Sequence, residues 1–264
     1  MAWHKLGGLL LCCGAALVQA ASDSWREQQY ASEIAQTSTL GQAIWLEAEQ
    51  RRFLSLVTPS DRAEPKGAAI LLHDLGEYPD QPTLIHPLRE RLARAGWFSI
   101  APQLPLREAG APALDYLPLF LLASARIQAA LDHAREQGIT DFAIVGYGWG
   151  ALMGLYFLDQ HPEAPVVAFV AISVPVLDTP HPAGQTLSFL ERLQIPVFDF
   201  YASLDWPEVK DHARERRVAA RANPHYQQLR LDGQSHHYLD DHGMIAQRVY
   251  SWLARHAKSA AAMK

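Results

Sequence analysis

Residues 139–157 read ITDFAIVGYGWGALMGLYF. Phe142 to Val145 is an apolar run of strand character, and it enters Gly146-Tyr147-Gly148-Trp149-Gly150 without a polar break. Leu152, Met153, Leu155, Tyr156 and Leu158 then follow at helical spacing. Strand, glycine-rich turn and helix in this order form the sharp corner on which many enzymes mount a nucleophile. The outer glycines let strand and helix cross closely. The central residue is ordinarily Ser, Cys or Asp, held at a positive φ that costs backbone strain. Here the central residue is Gly148, which has no attacking atom and adopts positive φ cheaply. A glycine-rich phosphate-binding turn is the competing reading of such a pattern.

The flanking sequence extends the alternation of strand and helix. Arg52 to Thr58 alternates as a strand. Ala68 to His73 is a continuous apolar run suited to a buried parallel strand. Leu84 to Ala95 has helical spacing and stops at Gly96, and Trp97 to Ala101 is the next strand. Leu114 to Gln137 predicts a long helix. Val166 to Val174 and Pro196 to Tyr201 are strands, with a short helix over Gln185 to Leu193 between them. A helix over Val209 to Ala222, a strand over Tyr226 to Leu231 and a closing helix over Asp241 to His256 complete the pattern. The expected fold is a doubly wound, mostly parallel α/β sheet with helices on both faces. The interval Pro175 to Pro182 is too short for a large cap domain. One domain over residues 51–258 is expected, preceded by a loose arm over 22–50 with one or two short helices.

The chain has 264 residues and a formal net charge of -5. It has no basic block, which argues against a nucleic-acid partner. Residues 1–20 read as a secretory signal peptide. His4 and Lys5 are followed by an apolar run, Leu6 to Val18, too short to span a bilayer, and by small residues at Val18-Gln19-Ala20. Both cysteines, Cys12 and Cys13, lie inside this segment. A mature chain would then hold no disulfide and no thiolate. That suits a bacterial periplasm, with no integral membrane domain after cleavage.

Two residues carry the chemistry that survives at the corner's offsets. Asp205 follows a buried strand. His236 lies in a turn after the last strand, with His237 as the alternative inward member. The order corner, acid, histidine is that of nucleophilic hydrolases, in which the acid orients the imidazole. Oxyanion donors would be the amides of Trp149 and Leu75. Asp74 stands in the loop that carries Leu75. Pointing inward it would oppose a developing oxyanion, since like charges at ~4 Å repel by about 4 kcal/mol at an effective dielectric of 20. Pointing to solvent it would be neutral to the site. Tyr147 and Trp149 flank Gly148 and are candidates to narrow a pocket. Ser173, Ser203 and Ser235 are other hydroxyls, none of them in a corner. His236, His237, Asp240, Asp241 and His242 are dense in possible metal ligands, but neighbours in a loop rarely converge, and Asp240 or Asp241 suits a helix N-cap. No metal or cofactor is expected.

With these residues the chain resembles the α/β-hydrolase superfamily. Within it the chain is similar to a group of exported bacterial proteins defined as a domain of unknown function. The resemblance rests on Leu71-Leu72-His73-Asp74-Leu75-Gly76-Glu77-Tyr78-Pro79-Asp80, Gly96-Trp97, Gln103-Leu104-Pro105 and the serine-free corner. It covers about Arg52 to the end and implies the fold without a substrate. Elsewhere in the superfamily, loss of the serine accompanies binding roles. Three functions follow as expectations: a non-catalytic protein binding an unknown small molecule or periplasmic protein, a hydrolase in which Asp205 and His236 activate water, and a metal-dependent hydrolase using residues 236–242.

Overall fold

The computed structural model describes residues 22–241 and 243–257. The proposed signal peptide and His242 lie outside them. In chain order the elements are α1 (Ser24–Thr37), β1 (Gln42–Ala48), β2 (Arg51–Thr58), β3 (Ala68–Leu72), α2 (Ile85–Arg94), β4 (Phe98–Pro102), α3 (Phe120–Glu136), β5 (Phe142–Tyr147), α4 (Trp149–Gln160), β6 (Val166–Ile172), α5 (Thr186–Arg192), β7 (Val197–Leu204), α6 (Pro207–Lys210), α7 (Ala213–Ala219), β8 (Tyr226–Ser235) and α8 (Met244–His256). The eight strands form one sheet in the order β1-β2-β4-β3-β5-β6-β7-β8. β1 and β2 pair antiparallel, β2 joins β4 antiparallel, and every other pairing is parallel.

Strand alternation sorts side chains into two cores. Ala68, Ile70 and Leu72 of β3 face one way with Ile144 of β5, under α3, α4 and α5. Ala69 and Leu71 face the other way with Val145, under α1, α2 and α8. Helices on both faces explain why β3 and β5 are apolar throughout. The stretch Ala113–Glu136 is apolar and long enough to cross a membrane, but more than half of its most apolar window (56%) is buried against the protein. It serves here as sheet cover. Pro118 makes its first turns a 3-10 helix, so the α-helical part begins only at Phe120.

Three expectations are corrected. The arm over 22–50 is one helix followed by β1, which belongs to the sheet. β1 is an edge strand. Ile44 and Leu46 lean on the core while Trp45 is 45% exposed, so its apolar residues show no clean pattern. The helix over 209–222 is two short helices, α6 and α7, closed by a 3-10 turn at Ala220–Ala222. The closing helix starts at Met244 rather than Asp241, whose carboxylate accepts from the Ile245 amide instead.

The crossing of β5 and α4 fixes everything at the site. A Cβ on Gly150 would strike the carbonyls of Leu72 and His73, and one on Gly146 would strike the Ala151 backbone. All of these are backbone atoms, so nothing can rotate away. Gly150→Ala is therefore expected to destabilise the protein by about 3 kcal/mol, the upper end for overpacking. A lowered urea midpoint at unchanged slope would report it.

Candidate active-site remnant

Gly148 ends the corner with φ 56° and ψ −124°, the left-handed side of the map. A Cβ built there falls directly on the carboxyl of Asp74. The space where a nucleophile's side chain would stand is thus taken by an aspartate from the loop after β3. Of the two orientations open for Asp74, the structure adopts the inward one, with the residue 6% exposed.

The carboxylate satisfies the surrounding donors. Asp74 Oδ1 accepts from the amides of Leu75 and Trp149, each at 2.7 Å. These are the two groups expected as oxyanion donors. Trp149 is the first residue of α4, so the anion also sits at the positive end of the helix. Asp74 Oδ2 lies 2.8 Å from His236 Nε2, and His236 Nδ1 lies 2.7 Å from Asp205 Oδ1. Acid, imidazole and second acid form one line, all buried.

The supporting groups are explicit. Ser173 donates to Asp205 Oδ2, which leaves the Tyr238 hydroxyl to donate to Ser173. Ser173 holds a positive φ of 54°. Its amide donates to Phe200 O at 2.8 Å, so the surrounding bonds hold the strained conformation. The Ala202 and Trp206 amides also donate to Asp205. Trp206 stacks on the imidazole with 3.6 Å between ring centroids and shields it from solvent. Below, His73 donates through Nδ1 to the Asp74 carbonyl at 2.8 Å and accepts at Nε2 from the Leu104 amide at 2.9 Å. That pairing fixes the neutral tautomer and anchors the Asp74 loop.

Charge follows from this geometry. Burial alone would lower the His236 pKa. Hydrogen bonds to Asp205 and Asp74, with their negative charges, outweigh it and raise the pKa to about 9. The ring is then an imidazolium at neutral pH, donating from both nitrogens. Burial opposes ionisation of Asp205, yet the bonds from His236 and Ser173 hold its pKa below the ordinary carboxylate range. Burial lowers His73 to about 4. Burial, then the charge of Asp74, raises Glu77 to about 8.

The other expected residues fall as follows. His236 is the inward histidine and His237 is exposed. Tyr147 is fully buried beneath the site, its hydroxyl donating to the His236 carbonyl at 3.0 Å, so it does not narrow a pocket as expected. The Trp149 ring is buried edge-on against Phe120 and likewise lines the core. Ser203 accepts from the Gly233 amide, and Ser235, at the end of β8, pairs with Leu204 of β7. His237 and Asp240 are exposed, which separates them from buried His236. The supporting roles of His73, Ser173, Trp206 and Tyr238 were missed. Only His73 had a visible signal, its position beside Asp74.

The sequence matches, over residues 16–116 and 122–255, the family described as "Protein of unknown function (DUF3530)". The chain belongs to this family. No curated protein sequence matches this DUF3530 member. Among solved structures it is similar to the Pyrococcus furiosus esterase Pf2001, with a TM-score of 0.66 at 16% identity over 82% of this chain and 93% of that one. It is also similar to Est1E from Butyrivibrio proteoclasticus (0.63, 14%, 80% and 97%). A third is XC6422 from Xanthomonas campestris, described as an α/β serine hydrolase without a lid (0.62, 14%, 82% and 95%). At these identities the likeness establishes the fold, which is that of α/β-hydrolases. It does not establish an activity.

The pKa directions set a pH signature. The folded pKa of His236 lies above its unfolded value, so its stabilisation is fully present below pH ~6.5 and is lost as pH rises through about 9. His73 has the opposite sign and costs stability as pH falls from ~6.5 toward about 4. Imidazole NMR titration is expected to show one neutral ring persisting into acid and one imidazolium persisting to about pH 9. The second is expected to disappear in His236→Asn.

Proposed function

We propose that this protein is an exported, non-catalytic binding or interaction protein built on the α/β-hydrolase scaffold. One observation carries the reading. The Asp74 carboxylate takes up both oxyanion amides and the imidazole nitrogen that acyl transfer requires, in the space where the nucleophile's side chain would stand. Acyl-enzyme chemistry needs an attacking atom, a base and an oxyanion site together. Here the first is replaced by glycine, the second is protonated at neutral pH, and the third holds an internal anion.

The same features weigh against activation of water by His236 and Asp205. A general base needs a free lone pair at its operating pH. His236 Nε2 is turned to Asp74, and its raised pKa keeps it charged. Metal-dependent hydrolysis by residues 236–242 has little support. The exposed His237 and Asp240 do not share the buried space of His236. Export to a periplasm is supported by the leader-like residues 1–20 and by the absence of cysteine after Cys13. The ligand class is an unknown small molecule or a periplasmic protein.

A fluorophosphonate probe and p-nitrophenyl acetate test the reading together. Wild type is expected to show neither labelling nor turnover above the buffer rate. Gly148→Ser alone is expected to fold poorly, because the new Cβ overlaps the Asp74 carboxyl. The pair Asp74→Gly with Gly148→Ser removes that overlap and frees both amides. It is expected to gain labelling at residue 148 and turnover about 100-fold or more above wild type, the scale of an oxyanion donor's contribution. Wild-type turnover that is lost in His236→Asn would overturn the proposal.

A further inference from the structure

A second site lies apart from the Asp74 line. A cavity of about 470 Å³ is bounded by α1, the β1–β2 hairpin, α3 and the loop after β4. Its size suits a small organic ligand. Its walls combine three guanidiniums, Arg51, Arg52 and Arg126, with the rings of Trp45 and Phe53. Arg52 lies 5.5 Å over the Trp45 ring and Arg126 lies 5.1 Å over the Phe53 ring.

The charges there do not balance. Glu27 is the carboxylate in the lining, and both its oxygens are committed. Oε1 accepts from Ser22 and from the Leu106 amide, while Oε2 accepts from Arg126 at 2.8 Å. Glu47 stands opposite Arg52 in the β1–β2 register without forming an ion pair, and among the described residues no carboxylate pairs with Arg51 or Arg52. Arg51 stands close enough to Arg126 to destabilise its charge, an effect that adds to burial. This concentration of positive charge sits on a chain whose formal net charge is -5. Beneath the cavity, the buried atoms Gln103 Oε1 and Arg126 Nε have no hydrogen-bond partner among the described residues. Unpaired cations beside an exposed aromatic ring form a receptor for a charged group on an apolar body.

We propose that this cavity binds an amphiphilic organic anion. The carboxylate or phosphate head lies against Arg51 and Arg52 in the field of Arg126, and the apolar body packs on the exposed Trp45. This goes beyond the non-catalytic reading of the Asp74 site and is tested by a different measurement, so either can fail without the other.

Calorimetric titration of the purified protein with octanoate, octyl phosphate, octyl glucoside and octyltrimethylammonium provides the test. Saturable one-site binding is expected for octanoate, octyl phosphate or both, and the better of the two identifies the head group. The neutral and cationic octyl compounds are expected not to bind. Arg51 and Arg52 are exposed, so Arg51→Gln with Arg52→Gln is expected to keep the wild-type circular dichroism. That variant is expected to bind the anion about tenfold more weakly or worse. Trp45→Ala is expected to weaken octyl phosphate while leaving inorganic phosphate unchanged. Binding of octyl glucoside as tight as that of the anions would overturn the proposal. So would equal anion affinity in the double variant, or no anion binding below about 1 mM.

Discussion

The Asp74 carboxylate fills the space that a side chain at position 148 would need, and the rest of the site depends on that fit. Asp74 can lie beside the corner only because Gly148 has no side chain. Once there, it accepts from two backbone amides and faces an imidazolium that Asp205 supports from behind. The arrangement is negative, positive, negative, with hydrogen bonds at every junction. Buried charges are costly unless they are paired and fully bonded, and this line meets both conditions. The two amides and the imidazole nitrogen that acyl transfer would use are here bonded to the Asp74 carboxylate.

The network reaches beyond three residues. His73 holds the Asp74 carbonyl with one nitrogen and the Leu104 amide with the other, tying the loop after β3 to the chain after β4. Gln103 places its amide nitrogen 3.1 Å from the same His73 nitrogen, and Arg126 binds the Gln103 carbonyl. The remnant and the arginine-lined cavity therefore share a wall. On the other side, Tyr238 and Ser173 hold Asp205 from the end of β6 and the turn after β8. These groups lie at the carboxyl ends of parallel strands, where open α/β sheets gather their functional side chains.

Much of this was legible before any coordinates. The corner at 146–150 announced itself because strand, turn and helix are contiguous, and each leaves a local pattern. Asp205 and His236 could be placed because each follows a strand, in the chain order that the corner sets. The orientation of Asp74 could not be placed. It is decided by contact with Trp149, 75 positions further on, and no local pattern encodes that. Tyr147 was misjudged for a related reason. Alternation along β5 sends it under the imidazole, and only the strand's register reveals this. The edge strand β1 escaped because a half-exposed strand has no continuous apolar face, and α7 was overextended because helical spacing continues through its broken ends.

The left-handed backbone at Gly148 survives although nothing reactive is mounted on it. The main chain there presents the Trp149 amide inward, and that amide donates to the Asp74 carboxylate. A side chain at position 148 and the inward orientation of Asp74 are consequently sterically exclusive, so the one settles where the other can point.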